Sequence, residues 1–259
     1  MENKIDQENI VLSFLKFLRK PDYSIDSNKK KTAVDLLNIL ILIIIGLAIN
    51  SILVYLNYHL FRLFDYDVGN FVGGEADYRP IYYILVVLIG APVMEELTFR
   101  LGLRFSFYNL AFALIFLCIA FFEELRTWIA SVDIGWGWLI TVFSDPYDWI
   151  IAPIMITIVL VLGFLLAKTM KRFLNEQKIR SFYQKRFGYI FYISAILFGL
   201  DHLSNFSNFS NFWFLIPFFI LPQATGGLIL GFLRMRYGFK YAILGHIGNN
   251  ILSNIIFVF

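Results

Sequence analysis

Seven stretches rich in apolar residues, at 35–57, 80–97, 105–122, 149–168, 188–204, 212–233 and 239–259, constrain this chain more than anything else in it. A helix needs roughly 20 such residues to cross the hydrocarbon core of a bilayer, and each stretch reaches or approaches that length. The composition points the same way. Of the 259 residues 59% are hydrophobic and 16% charged, with 29 Phe and 14 Tyr, against ~45–50% apolar residues in soluble domains. The expectation is an all-α, polytopic transmembrane helical bundle of about seven spans. An eighth arises if "DIGWGWLITVFSDPYDW" (133–149) adds a re-entrant or interfacial piece, since its Trp cluster suits the headgroup zone. Pro217, Pro222, Gly226 and Gly227 mark the sixth span as kinked or broken. That is tolerable in lipid only if neighbours satisfy the freed backbone groups.

Charge sets the orientation. Lys29, Lys30 and Lys31 precede the first span, "KTMKRFLNEQKIRSFYQKRFG" follows the fourth and "RMRYGFK" follows the sixth. The loop after the first span is acidic instead, with Asp65, Asp67, Glu75 and Asp77. Seven crossings with the N-terminus in the cytosol put every basic loop inside, giving a multi-pass protein of the cell membrane. A net charge of +3, spread along the chain, does not suggest nucleic acid. The one cysteine, Cys118, rules out an intramolecular disulfide framework and reads as a packing residue.

No cleavable signal peptide is expected, because the apolar run near the start is short and interrupted by Lys16. Residues 1–34 form a cytosolic N-terminal segment and 35–259 the transmembrane domain. Ile10, Phe14, Phe17 and Leu18 share one helical face beside Lys16, Arg19 and Lys20. That spacing predicts an amphipathic helix on a membrane surface, or else a partly ordered tail.

Three sets of polar residues do not belong in lipid. Glu95, Glu96 and Arg100 follow the second span, in "APVMEELTFR". His202 closes "ISAILFGLDHL", and His246, Asn249 and Asn250 interrupt the last span in "AILGHIGNNIL". Intramembrane ionisable groups mark functional sites. Glu96 and Arg100 stand four apart, as do His246 and Asn250, so each pair shares a helical face. Glu95 is turned away from Glu96 by ~100° and can meet a different partner. Counting ~1.5 Å per residue, Glu95 lies ~8 Å and His246 ~9 Å inside the cytosolic boundary. His202 lies at ~21 Å, or ~14 Å if hydrocarbon begins near residue 193. His59 has no such company and reads as an interfacial loop residue.

"EELTFR", "FGLDH" and "HIGNN" follow the patterns Glu-Glu-x-x-x-Arg with Phe before the Arg, Phe-x-x-x-His and His-x-x-x-Asn. In this order, on separate membrane helices, they resemble the CAAX prenyl protease and bacteriocin-processing (CPBP, or Abi) family of intramembrane proteases. The resemblance covers roughly residues 80–259, including "GLILGFLRMRYGFKYAILGH". It implies an endopeptidase acting on a peptide or membrane-associated protein. Glu95 would activate water, with Glu96 beside it and Arg100 as anchor. His202 would orient or polarise that water, and His246 and Asn250 would stabilise the oxyanion. These roles agree with what hydrolysis requires: a base near the water and donors where charge develops. The family is commonly labelled metalloprotease. Glu95, His202 and His246 make a tentative Zn²⁺ set with an open position, although His-Glu-x-x-His is absent. A metal-free glutamate/histidine mechanism stands equally open.

Asp201, before His202, departs from the apolar residue expected there, and either tunes the imidazole or snorkels outward. "SNFSNFSNF" (204–212) reads as an interfacial loop dipping Phe rings into lipid, or as a flap over the site. Two rivals use the same residues. One is a non-catalytic immunity or scaffold protein that keeps the motifs; the other is a transporter or proton relay.

Overall fold

In lipid a chain satisfies its own backbone only as a helix or a closed barrel, and apolar runs free of turn residues favour the helix. The computed structural model describes residues 9–25, 32–66, 84–129, 148–206 and 209–258. Among the described residues there are eight α-helices and no strand. They are α1 (Ile10–Arg19), α2 (Ala33–Arg62), α3 (Ala91–Phe99), α4 (Phe107–Ile129), α5 (Asp148–Phe173), α6 (Glu176–Asp201), α7 (Ile216–Arg236) and α8 (Phe239–Val258). A π-helical segment, Ile84–Gly90, feeds α3, and 3₁₀ turns lie at Leu101–Leu103, His202–Asn205 and Phe209–Leu215.

The described parts of all seven apolar stretches are helical almost throughout. Two helices, Ala33–Arg62 and Phe212–Arg236, are long and apolar enough to cross a membrane. Leu36, Leu40 and Ile44 on α2, with Ile154, Ile158 and Leu162 on α5, lie exposed. Apolar faces of this extent are suited to lipid rather than water. The Trp-rich stretch 133–147 and the acidic residues from 67 onward lie outside the described residues. His59 sits on α2, stacked against Tyr55 and Tyr58, rather than in a loop. Cys118 is exposed on α4.

The closest helix pair is α6 with α7, and small residues explain it. A Cβ on Gly199 would lie 2.9 Å from the Ile220 carbonyl, and one on Gly231 would lie 2.7 Å from the Phe191 ring. Ala195 and Gly199 on α6, with Gly227 and Gly231 on α7, form two i,i+4 pairs that let the backbones approach. The kink expected at the sixth span does not break α7. Pro217 occupies its first turn, and Pro222 lies inside it. Proline at 222 removes the donor that would bond the carbonyl of residue 218. Asn57 of α2 supplies the replacement, its Nδ2 donating to the Phe218 carbonyl at 2.7 Å.

The N-terminal helix differs from the membrane-surface reading. Asn9 caps α1 by accepting from the Val11 amide. Ile10, Phe14 and Phe17 are buried in the same apolar core as Leu42, Phe191, Phe232 and Leu233. Phe17 meets the Phe191 ring edge-on at 5.0 Å and the Phe232 ring at 5.2 Å. The main apolar face of α1 is therefore covered by protein, and only Leu12 and Leu15 remain exposed. Arg104 holds the following segment, donating to the carbonyls of Tyr23, Ile25 and Met235. The N-terminal segment belongs to the core it was expected to precede.

Phe206 and Phe212 of the repeat 204–212 are likewise turned inward. The rings of Phe206 and Phe212 pack on Phe219 at 4.8 Å and Tyr66 at 5.0 Å, in a cluster with Phe61 and Leu215. Replacing Phe17→Ala is expected to destabilise the protein by about 3 kcal/mol, as for other buried Phe truncations. It should also expose α1 to protease at temperatures where wild type resists. Thermal unfolding and limited proteolysis in detergent measure both; an unchanged transition would mean that α1 adds nothing to the core.

Candidate active site

The diglutamate lies on a helix of nine residues whose ends are fixed by its neighbours. Pro92 occupies the first turn of α3 and adds no unsatisfied N–H there. At the other end the last carbonyls lack intrahelical partners. Ser194 of α6 donates its hydroxyl to the Phe99 carbonyl at 2.6 Å. Arg234 of α7 donates Nε–H to the Arg100 carbonyl at 3.2 Å. The backbone of Glu95–Arg100 is thereby tied to both large helices.

Glu96 and Arg100 are wholly buried, each at 0% exposure. The Arg100 Nε lies 3.6 Å from Glu96 Oε1, beyond a strong hydrogen bond. Its guanidinium makes no hydrogen bond among the described residues. It is held by charge and by the face of Phe198, whose ring centroid is 3.9 Å from Cζ. Gly227 leaves the room: a Cβ there would lie 3.3 Å from Arg100 Nη2 and 3.2 Å from Phe198.

His246, on α8, bridges the two glutamates. Its Nδ1–H donates to Glu96 Oε1 at 3.0 Å, and its Nε2 lies 3.4 Å from Glu95 Oε2. Glu95 Oε2 makes no hydrogen bond among the described residues, so its tie to His246 is one of charge. An uncompensated buried charge is expensive, several kcal/mol after relaxation.

His202 caps α6 and approaches from the opposite side. Its Nδ1 is 2.8 Å from the Phe198 carbonyl. A carbonyl only accepts, so Nδ1 carries the proton and the neutral ring keeps a lone pair on Nε2. Phe198 sits among all of these groups, 4.7 Å from the His202 ring and 5.7 Å from His246. It also packs edge-on against Phe99 at 5.5 Å, so the two aromatic positions in the motifs meet each other. Asp201 ends α6 partly buried, and the Phe198 carbonyl orients the imidazole.

Glu95, His202, His246, Asn249 and Asn250 line one cavity of about 410 Å³ between α2, α3, α6, α7 and α8. All six expected residues thus gather at one place. The pairing differs from expectation in one respect: Glu96 serves His246 as well as Arg100, and both His246 nitrogens face carboxylates. Sequence reasoning gave no role to Phe198, Arg234 or Ser194. Only Phe198 left a signal, as the first residue of Phe-x-x-x-His.

Donor chemistry bears on the tentative zinc set. Each histidine has Nδ1 bonded to an oxygen, the usual support of a ligand. Even so, among the described residues no three His, Cys, Asp or Glu side chains group as a metal site. His246 Nε2 lies 3.4 Å from Glu95 Oε2, which makes no hydrogen bond among the described residues, and Arg100 Nε lies 3.6 Å from Glu96 Oε1. Comparison of the chain with models of known families, with curated proteins and with solved structures finds no match.

Breaking the buried pair tests this arrangement. Glu96→Ala strands Arg100 and is expected to cost about 3–5 kcal/mol. Adding Arg100→Met should recover part of that loss. Unfolding in detergent, read as a double-mutant cycle, is expected to give a coupling of about 1–3 kcal/mol; additive losses would show the two groups to be independent.

Proposed function

We propose that this chain is a multi-pass membrane endopeptidase of the CPBP type, hydrolysing a peptide bond with water activated by Glu95. The observation that carries the reading is the line Arg100–Glu96–His246–Glu95 ending on the wall of a cavity that His202 also lines. A purely structural ion pair has no need of a second carboxylate, two histidines and an open space. The seven helical stretches, the basic loops on one side and the N-terminus in the cytosol complete the proposed topology, with the cell membrane as its place. Membrane lipids and a peptide or protein substrate are the partners.

The steps follow from the hydrogen bonds. Water in the cavity donates a hydrogen bond through one O–H to Nε2 of His202, keeping that proton, and presents the other to Glu95. Glu95 takes that proton as the oxygen bonds to the scissile carbonyl carbon. As Glu95 gains it, its hold on the His246 Nε2–H weakens. That N–H and the Asn250 amide then face the oxyanion, where fixed donors contribute most. Collapse breaks the C–N bond, and Glu95 returns its proton to the leaving amine. Glu96 and Arg100 keep the His246 ring in place throughout. No metal enters any step.

New protein termini in membranes expressing the protein are expected to vanish with Glu95→Gln at matched expression and unchanged unfolding temperature. Loss of a general base typically costs 10²–10⁴-fold. Identical termini with the phenotype retained would leave a binding or immunity protein instead. Cleavage is also expected to persist at full rate in 1,10-phenanthroline. Abolition by the chelator, with recovery on adding zinc, would reassign Glu95, His202 and His246 as ligands.

A further inference from the structure

The cavity that Glu95, His202 and His246 line also carries carboxamides on its walls. Asn50 of α2, Gln223 of α7 and Asn249, Asn250 and Asn254 of α8 all line it. Apart from Glu95, His202 and His246, no ionisable side chain among the described residues does. Three helices of an apolar bundle thus turn carboxamides toward one space; the Asn254 amide donates to the Asn250 carbonyl of its own helix at 2.8 Å, and an amide left unpaired in such a setting is costly. The Asn50 Oδ1 is buried without a hydrogen-bond partner in the structure. Gly226 faces Asn50, and a Cβ there would stand 3.8 Å from its Nδ2, in ordinary van der Waals contact.

We propose that the carboxamides of this cavity bind the extended backbone of a peptide, presenting three to four residues on one side of the bond that Glu95 attacks. The inference rests on the hydrolytic reading and specifies its substrate conformation. A peptide unwound for cleavage exposes one N–H and one C=O per residue, and inside a bilayer it has no water to satisfy them. A primary amide offers a donor and an acceptor together, the complement of a peptide unit. An anionic headgroup calls for cationic walls, and no lysine or arginine lines the cavity among the described residues. An isoprenyl or acyl chain would suit Ile43, Leu47, Ile229 and Leu230 but leave the carboxamides unpaired.

Helix register gives the length. Asn254 stands eight residues beyond His246 on α8, so ~12 Å further along the axis. At ~3.3 Å per extended residue, that distance holds about three to four residues. Gln223 lies thirteen residues from the Arg236 end of α7, ~20 Å by rise. Asn254, fifteen residues from the Phe239 start of α8, lies at ~22 Å. Gln223 and Asn254 therefore share one level, further from the basic ends of these helices than His246, and Asn249 and Asn250 lie between.

The test separates binding from cleavage by using Glu95→Gln protein in nanodiscs. The probe is a fluorescein-labelled, alanine- and valine-rich decapeptide, followed by anisotropy, beside the same peptide N-methylated at four consecutive central amides. Saturable binding is expected, weakened at least 10-fold by N-methylation and at least 10-fold by Asn50→Leu or Gln223→Leu. The methylated peptide needs no altered groove, so misfolding of a variant cannot hide the answer. No saturable binding, or binding indifferent both to methylation and to the two substitutions, would overturn the groove. Cleavage by the wild-type protein, read separately, reports on the hydrolytic reading alone.

Discussion

The buried pair of Glu96 and Arg100 is the constraint around which the molecule is arranged. Neither side chain touches solvent, and each would be untenable without the other. A guanidinium cannot shed its charge, so the surroundings must adapt to it. Phe198 supplies an aromatic face, Gly227 supplies space, and Glu96 supplies the opposite charge. Because Glu96 Oε1 also receives the His246 Nδ1–H, the position of one arginine on α3 fixes a histidine on α8.

That coupling explains why so much of the fold concerns backbone proximity. Guanidinium, Phe198 and His246 meet only if α6, α7 and α8 close around α3. The small residues on α6 and α7 allow the approach, and Ser194 and Arg234 close off the carbonyl end of α3. Pro222 appears to conflict with a continuous α7, yet Asn57 satisfies the carbonyl that proline leaves unpaired. The aromatic core under α1 does the same service at the basic end, where Phe17, Phe191 and Phe232 lock three segments together.

What the sequence revealed, and what it hid, follows from the range of the forces involved. Helical content was legible from apolar runs, and the site residues from their cost in lipid: Glu95, Glu96, Arg100, His202, His246 and Asn250 were all visible as misfits. Pairing across helices was not, because i,i+4 spacing speaks only of one helix. Glu96 was assigned to Arg100 alone, and its bond to His246 required the packing of α3 on α8. The depth of His202 was ambiguous for a similar reason. The first half of α6 packs Phe187 and Phe191 against α1, so His202 lies ~16 Å beyond Phe191 on the helical rise. The amphipathic face of α1 was read correctly as a face but given the wrong partner, since moment alone cannot distinguish lipid from protein. The inward turn of Phe206 and Phe212 was hidden in the same way.

The central claim is that His246 sits between two carboxylates, while His202 turns its Nδ1 to the Phe198 carbonyl. With only three histidines in the chain, ¹⁵N NMR of imidazole-labelled protein in nanodiscs reads this directly, using His59→Gln to remove the remote signal. The account predicts a neutral, Nδ1-protonated His202. It also predicts a His246 whose Nε2 resonance shifts in Glu95→Gln and whose Nδ1 resonance shifts in Glu96→Gln. A His246 indifferent to both substitutions, or a His202 protonated on Nε2 alone, would contradict it.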